Sequence, residues 1–191
     1  MDPESRPVAD LDRQLVRDVL RKDRKATAEF VARYADCVYA YIRRRLLPRL
    51  DSVEDLLQET FLAAWQNLEK FRADGDLKAW LLGIAKHKVE DYYRRRLREF
   101  QTSEEGDDLP AEPSLVVNFD DRLEHISRHE QIQRILIMLP EHYALVLLWR
   151  YFDNRSVREM AEMTGSTEKS MERLLARARE QFKKRWQHVH H

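Results

Sequence analysis

The sequence predicts an all-helical protein of two domains joined by a flexible acidic linker. Glycine is rare, with four in 191 residues, while residues that favour helices over sheets (Arg, Glu, Leu and Ala) are abundant. Apolar residues recur every three or four positions over most of the chain, which is the period of an amphipathic helix. Residues 101–113, QTSEEGDDLPAEP, have almost nothing apolar to offset the entropy of ordering them. We therefore expect a domain at 1–98, a linker at 99–124, a second domain at 125–187 and a tail at 188–191.

The first predicted helix of the first domain runs from about Ala26 to Arg45 and ends before Pro48. Its apolar positions recur about every four residues and should face the core: Phe30, Tyr34, Val38 and Ile42. A second helix is expected from Asp51, which forms an Asp version of the capping box with Glu54. Its apolar side is made of Val53, Leu57, Phe61, Ala64 and Leu68.

A loop is predicted at Phe71–Leu77, FRADGDL, because its Asp74-Gly75 pair is typical of a turn. The next helix opens at Trp80 and ends in the run Tyr92–Arg96, YYRRR. Its inward positions are Leu81, Ile84, Ala85 and Val89.

The second domain is predicted to hold four helices, at about 129–138, 141–152 and 156–164 and from Thr167 onward. Asn154 suits a left-handed turn, Ser156 with Glu159 forms a capping box, and Gly165 breaks the third helix. The last helix, capped by Thr167, carries the apolar stripe Met171, Leu174, Leu175, Ala178 and Phe182. Two helices joined by a short Gly-containing turn, the second with a basic outer face, are typical of a helix-turn-helix.

The charge of the chain is zero overall but unevenly distributed. The whole chain has 34 basic and 34 acidic residues. Residues 1–98 hold 21 basic and 17 acidic side chains, residues 99–128 hold 2 and 9, and residues 129–191 hold 11 and 8, so the balances are +4, −7 and +3. Because binding responds to local charge, a neutral total does not exclude a nucleic-acid partner.

Several classes of protein are disfavoured. A single cysteine, Cys37, forms no internal disulfide, which argues against a secreted, disulfide-stapled domain. We expect no membrane insertion, because no apolar run approaches the roughly 18 residues needed to span a bilayer. We expect no signal peptide, because the N-terminal residues MDPESRPVADLDRQ lack an apolar stretch. We expect no enzyme, cofactor or metal, because the chain has no Gly-rich phosphate loop, metal-spaced Cys/His set or nucleophile elbow. His125 and His129 lack a third ligand, and His188, His190 and His191 look like a tail.

Three groups of residues are candidates for binding, each with a plainer structural reading. The outer face of the last helix has the side chains to meet DNA, but charged amphipathic helices are common. Trp80, with the basic and aromatic side chains that follow it, suits binding to unstacked single-stranded DNA. The plainer reading, which is the more frequent one, puts Trp80 in the core and makes the arginines a solubilising helix end. The acidic face around Asp55 fits a basic partner helix, or it is simply solvated.

A resemblance to a known family connects these groups. Residues 51–96, DSVEDLLQETFLAAWQNLEKFRADGDLKAWLLGIAKHKVEDYYRRR, resemble the second conserved region of bacterial sigma factors, the subunits that direct RNA polymerase to promoters. Residues 139–180, LPEHYALVLLWRYFDNRSVREMAEMTGSTEKSMERLLARARE, resemble their fourth region. The length and the lack of a third domain resemble the extracytoplasmic-function (ECF, group IV) class of the sigma-70 family. The likeness covers roughly residues 15–98 and 125–186.

The resemblance implies roles for residues of the first domain. The residues that match the family's grip on the coiled coil of the largest polymerase subunit are Asp55, Gln58, Glu59 and Leu62. The loop at Phe71–Leu77 matches the one that captures a flipped base of the −10 element. The residues implied in −10 DNA binding are Phe71, Arg72, Asp74, Trp80, Lys86, His87, Lys88, Asp91, Arg94, Arg95 and Arg96. Lys88 and Arg94–Arg96 would hold the DNA backbone.

The resemblance also implies roles for the second domain and the linker. The residues that fall at the −35 binding positions are Thr167, Lys169, Ser170, Glu172, Arg173, Arg177 and Arg179. The family often has Lys or Arg where Glu172 stands and Gly where Lys169 stands, so the −35 sequence does not follow from the family. The acidic linker resembles the segment that threads into the polymerase active-site and RNA-exit channels.

From this resemblance we expect a promoter-specificity factor that acts in the bacterial cytoplasm. Its expected partners are core RNA polymerase (the coiled coil and the flap), promoter DNA and an anti-sigma factor. The alternatives are a helix-turn-helix regulator that binds duplex DNA without polymerase, and a helical adaptor whose basic faces are merely solvated. The acidic face around Asp55 distinguishes a sigma factor from a helix-turn-helix regulator, because a repressor that acts without polymerase has no need for it.

Overall fold

The computed structural model of the chain describes residues 6–72, 75–103 and 128–189, and every regular element in these ranges is helical. The helices are α1 (Arg6–Leu20), α2 (Arg24–Arg45), α3 (Val53–Asn67), α4 (Leu77–Ser103), α5 (Arg128–Met138), α6 (Glu141–Leu147), α7 (Val157–Thr164) and α8 (Glu168–Val189). Short 3-10 turns occupy Leu50–Ser52 and Leu68–Lys70, and a π-helical turn follows α6 at Leu148–Phe152. The all-helical fold class is confirmed.

The helices form two compact units. Unit 1 takes the described residues of Met1–Arg44 and Asp51–Glu90, and unit 2 takes those of Arg45–Leu50 and Asp91–His191. The last part of α4 therefore belongs to unit 2, together with the helices after residue 128. The domain and linker boundaries that the sequence places at residues 98, 124 and 187 remain predictions. Two ends differ locally from them, because α4 continues to Ser103 and α8 continues through His188 to Val189.

The core of unit 1 follows the predicted α2 stripe, since Phe30, Tyr34, Val38 and Ile42 are all buried. The ring of Phe30 meets Phe61 edge to face, with centroids 5.8 Å apart, a favourable aromatic geometry. On α3 the buried side is rotated slightly from the prediction: Val53, Leu56, Thr60 and Ala64 are buried. Leu57 and Phe61, which were expected inside, are only half-buried.

Helix α1 has no counterpart among the sequence predictions. Its Leu15, Val16 and Val19 are buried in unit 1. Asp12 ties it to α2, because it accepts hydrogen bonds from Tyr34 Oη at 2.7 Å and from Arg33 Nη1 at 3.1 Å. The helix is therefore fixed by both apolar burial and a charge-assisted contact.

The predicted starts of α3 and α4 are wrong in detail. Asp51 lies inside the 3-10 turn, and the residue before α3 is Ser52, whose side chain makes no capping hydrogen bond. Helix α4 begins at Leu77 and not at Trp80, because Asp76 caps it: its Oδ1 accepts from Ala79 N at 3.0 Å. An acidic side chain at this position satisfies an exposed N–H of the first helical turn.

The predicted signals of the second half are confirmed. The Ser156 side chain and the Glu159 carboxylate form the reciprocal capping box of α7. Gly165 ends α7 with φ of 73°, and Asn154 has φ of 55°, the left-handed region that these residue types adopt most cheaply. Ser170 N donates to Thr167 Oγ1 at 3.2 Å at the start of α8. The core of unit 2 includes all six residues from Ala144 to Trp149.

Candidate functional site

The first candidate surface lies on α3, where the side chains of Asp55, Gln58, Glu59 and Leu62 are all exposed. Their spacing of three and four residues puts them on one helical face. Leu62 is 59% exposed and adds an apolar side chain to this polar face. We call this set the α3 face. It presents two carboxylates and an amide beside an apolar side chain.

Trp65 extends the α3 face and was missed by the sequence reasoning. It is 51% exposed and follows Leu62 by three residues, so it continues the same stripe. The signal that could have found it was that spacing, because a tryptophan outside the buried Val53–Leu56–Thr60–Ala64 stripe has no core to enter. An exposed indole beside carboxylates suits a partner that offers both apolar and cationic side chains.

The second candidate surface begins at the loop before α4. The rings of Phe71 and Trp80 lie 5.4 Å apart and tilted by 57°, and both side chains are half-buried. Gly75 N donates to the carbonyl of Arg72 at 2.8 Å. A Cβ at Gly75 would lie 3.2 Å from that carbonyl oxygen and 3.3 Å from the Phe71 ring, so glycine keeps this turn tight. Asp74, which belongs to the same predicted set, lies outside the described residues.

The exposed side of α4 in unit 1 carries Lys86 and His87, with Lys88 half-buried behind them. Lys88 Nζ lies 3.1 Å from Glu59 Oε2. The structure therefore joins a residue of the predicted −10 set to one of the predicted polymerase set. His87 Nδ1 is 3.6 Å from Glu90 Oε2, and the His87 side chain is 79% exposed.

The part of α4 in unit 2 carries the remaining predicted −10 residues. Arg94 pairs with Asp91 at 3.0 Å, and the Arg95 guanidinium lies 5.8 Å from the centroid of the Tyr92 ring. Arg96 binds carboxylates on two sides, Glu99 at 2.6 Å and Glu141 at 2.5 Å.

Glu141, at the start of α6, accepts from three groups and was not singled out from the sequence. Arg96 Nε and Tyr92 Oη donate to its Oε1 at 3.0 and 2.7 Å, and Arg96 Nη2 donates to its Oε2. Burial alone would raise the pKa of the Glu141 carboxyl, but the hydrogen bonds from Arg96 and Tyr92 hold that pKa below its ordinary value. Its neighbour His142 stacks on Phe100 with ring centroids 3.6 Å apart. Burial lowers the pKa of the His142 imidazole to about 4, against the opposing charge of Glu141.

The third candidate surface is the outer face of α8. Its inner stripe is buried as predicted, with Met171, Leu174, Leu175 and Ala178 inside and Phe182 half-buried. All residues of the predicted −35 set are exposed: Thr167, Lys169, Ser170, Glu172, Arg173, Arg177 and Arg179. A rigid helix with one dry face and one polar face of this kind fits a DNA major groove.

Among the described residues, no group of three or more His, Cys, Asp or Glu side chains is arranged to hold a metal ion. His125, one of the two histidines weighed as ligands, lies outside the described ranges. In the same part of the chain, no helix is both long and apolar enough to cross a membrane.

Two protein-family models match the chain. The model for sigma-70 region 2 matches residues 30–99, which include the α3 face and most of α4. The model for sigma-70 region 4 matches residues 129–182, from α5 into α8. The two matched regions stand in the order that the sequence resemblance implies.

Similar proteins agree with these models. RNA polymerase sigma factor YlaC of Bacillus subtilis is 29% identical over 167 residues, covering 85% of this chain and 93% of the relative. The ECF RNA polymerase sigma factor BldN of Streptomyces coelicolor is 32% identical over 180 residues, covering 91% of this chain and 66% of the relative.

Two solved structures align with this chain over most of its length. CnrH, solved with the cytosolic domain of CnrY, is 23% identical, with 92% of this chain and 97% of that chain covered and a TM-score of 0.42. The chain matched in the RsbN–BldN complex is 23% identical, with coverage of 88% and 97% and a TM-score of 0.38. With both conserved regions matched in order and full-length relatives of the same kind, this chain belongs to the sigma-70 family of RNA polymerase sigma factors, in its ECF class.

Proposed function

We propose that this protein binds core RNA polymerase through the α3 face and directs it to promoters, reading the −35 element with α8 and opening the −10 element with the loop before α4 and with α4 itself. The observation that carries the proposal is that the α3 face and the outer face of α8, one in each matched region, present all of their predicted binding residues exposed. It would act in the bacterial cytoplasm, where its polymerase works. We also propose that residues 1–98 and 125–187 are its two functional domains and that residues 99–124 link them.

Polymerase binding is assigned to the α3 face: Asp55, Gln58, Glu59, Leu62 and, in addition, Trp65. Carboxylates at one end and exposed apolar side chains at the other suit an amphipathic, basic partner such as the coiled coil of the largest subunit. Aromatic residues of this kind frequently dominate interface energies. The flap is the proposed contact of the second domain.

Promoter opening needs no chemical step by this protein. Phe71 and Trp80 form a half-buried aromatic pair at the loop, and aromatic faces stack on unpaired bases. Capturing a flipped base offsets an unpairing cost of about a few kcal/mol. Cations of α4, from Lys86 and Lys88 to Arg94–Arg96, would hold the backbone of the opened strand. We therefore propose a non-enzymatic role, without cofactor or metal.

Recognition of the −35 element is assigned to the exposed face of α8. Arg173 and Arg177 have the donors for guanine edges, Glu172 can accept from cytosine N4, and Arg179 can meet phosphates. The left-handed Gly165 ends α7, and the Thr167 hydroxyl accepts from Ser170 N at the start of α8, so both sides of the turn between the two helices are capped. The start of the reading helix is thereby held rigidly.

An anti-sigma factor is the third proposed partner. The structures of CnrH and BldN similar to this one contain the cytosolic domain of CnrY and RsbN, respectively. A third similar structure holds the sigma factor RpoE of Bartonella quintana with the anti-sigma factor NepR. We propose that this chain is likewise held inactive by a protein of that kind.

The test that separates a sigma factor from a polymerase-independent DNA-binding regulator uses the α3 face. Asp55→Ala combined with Gln58→Ala should abolish binding to purified core polymerase while circular dichroism shows the fold unchanged. Asp36→Ala is the matched control, because it removes an exposed carboxylate from a different helix, α2. Unchanged polymerase affinity in the double variant would refute the sigma-factor function.

A second test addresses the α8 face. Arg173→Ala and Arg177→Ala should each weaken binding to a −35 duplex by about 1–3 kcal/mol, as measured by fluorescence anisotropy, whereas exposed Lys25→Ala on α2 should not. An insensitive duplex affinity would show that α8 does not read the DNA. Transcription from a randomised promoter library with core polymerase would then define both promoter elements.

A further inference from the structure

The carboxylate of Glu141 is the centre of a cluster within unit 2 that we call the Glu141 latch: Glu141 with Arg49, Tyr92 and Arg96. The Arg96 guanidinium donates to both carboxylate oxygens, from Nε at 3.0 Å and from Nη2 at 2.5 Å. Arg49 Nη1 adds a longer contact at 3.8 Å. The Glu141 side chain is only 15% exposed. This forked, charge-assisted geometry is the one by which arginine also binds phosphate.

Two further contacts hold cations of the same kind. Arg45 Nε lies 3.0 Å from Asp153 Oδ1, and Arg98 Nε donates to the backbone carbonyl of Thr164 at 3.0 Å. In each case a basic side chain from the segment 45–50 or the end of α4 meets an acceptor from the helices after residue 128. The region-4 helices therefore occupy guanidinium groups on and beside the arginine-rich end of α4.

An aromatic contact lies beside the latch and is imperfectly satisfied. Tyr93 of α4 and Trp149 of the π-helical turn stack at 5.2 Å with an interplanar angle of 22°, and both side chains are fully buried. The Trp149 Nε1–H finds no acceptor among the described residues. A buried donor of this kind costs free energy that separation of the two rings would recover in water. The contact thus combines favourable apolar burial with polar costs, which suits a reversible association.

We propose that the latch is an autoinhibitory contact in which the Glu141 carboxylate takes the place of a DNA phosphate on Arg96. The promoter strand and Glu141 then compete for one guanidinium, and the free protein binds the strand only in the fraction of molecules whose latch is open. The apparent affinity is reduced by that fraction. This inference rests on the proposed function, because it takes Arg96 to be a DNA-backbone contact.

The experiment is a double-mutant cycle on the full chain. The probe is a fluorescein-labelled, random-sequence single-stranded oligodeoxynucleotide, because a backbone contact requires no particular base. Glu141→Gln keeps the shape of the side chain and removes its charge, and it should tighten binding about tenfold. It should also steepen the salt dependence by about 0.7 in slope, the value for one more phosphate contact with a single strand. In an Arg96→Gln background the same change should give no gain.

The matched control is Glu162→Gln, which removes an equal charge from an exposed ion pair with Arg158 on α7. It should leave the affinity unchanged. Amide hydrogen exchange without DNA gives a readout that does not depend on DNA binding: Glu141→Gln should speed the exchange of residues 91–100.

The possible results separate the latch from the function on which it rests. Where the wild type binds the strand, equal affinity of Glu141→Gln refutes the latch. A gain in affinity from Glu141→Gln that persists in the Arg96→Gln background also refutes it. A gain of equal size in Glu162→Gln would reduce the effect to net charge and refute it as well. If exchange accelerates but no form of the chain binds the strand, it is the proposed DNA-binding function that fails.

Discussion

Replacing His142 should remove much of the acid sensitivity of this protein. Burial lowers the pKa of His142 to about 4, whereas the ordinary value is 6.5. The difference, 6.5 − 4, is about 2.5, and at about 1.36 kcal/mol for each pH unit the linkage free energy is about 3.4 kcal/mol. Because the imidazole is only half-buried and keeps some hydration, we expect about 2–3 kcal/mol.

The sign follows from where each state binds the proton. Above pH 6.5 His142 is neutral in both states and has no effect. Below it the unfolded chain takes up a proton that the folded chain does not accept until about pH 4. The free energy of unfolding therefore falls as the pH decreases from 6.5 to 4, since the unfolded state binds more protons in this window.

The assay is urea unfolding followed by circular dichroism at several values between about pH 7.5 and about pH 4.5. His142→Phe, which keeps an aromatic ring against Phe100, should lose about 2 kcal/mol less than the wild type over this range. A His142→Phe variant with the wild-type pH dependence would refute the assignment of the effect to this imidazole.

Three further outcomes are expected. Ser156→Ala should lower the free energy of unfolding by about 1 kcal/mol, since it removes half of the α7 capping box, and urea unfolding would show a change near zero if the box did not matter. Gly165→Ala should cost about 1–2 kcal/mol in the same assay because of its φ of 73°; an unchanged midpoint would mean that the turn tolerates a side chain. Trp65→Ala should weaken binding to core polymerase about tenfold or more without lowering the melting temperature, and equal affinities would remove Trp65 from the α3 face.

Local chemistry made much of the second half of the chain predictable from sequence. The capping box at Ser156, the left-handed Gly165 and the stripe from Met171 to Ala178 each depend on residues a few positions apart. The α2 stripe was equally clear, because four apolar residues at a constant spacing leave a helix one way to pack. The resemblance to sigma factors rested on the same short-range patterns.

Features that depend on distant residues were beyond the sequence. Glu141 is an ordinary acidic residue at a helix start until Tyr92 and Arg96 are placed against it. The missed α1 is fixed partly by Asp12 binding residues of α2. At Asp51 the chain first forms a 3-10 turn, Leu50–Ser52, so the α-helix starts at Val53, later than the sequence predicts. In each case a tertiary contact or the path of the chain decided the outcome.

The four tryptophans of the chain supply an intrinsic spectroscopic reporter in each functional part of the molecule. Trp65 is half-exposed on the α3 face, Trp80 is half-buried beside Phe71, and Trp186 is half-buried late in α8. Trp149 is fully buried and its indole N–H finds no acceptor among the described residues. Indole fluorescence of single-tryptophan variants would therefore follow polymerase docking, strand opening and latch release one at a time, without any added label.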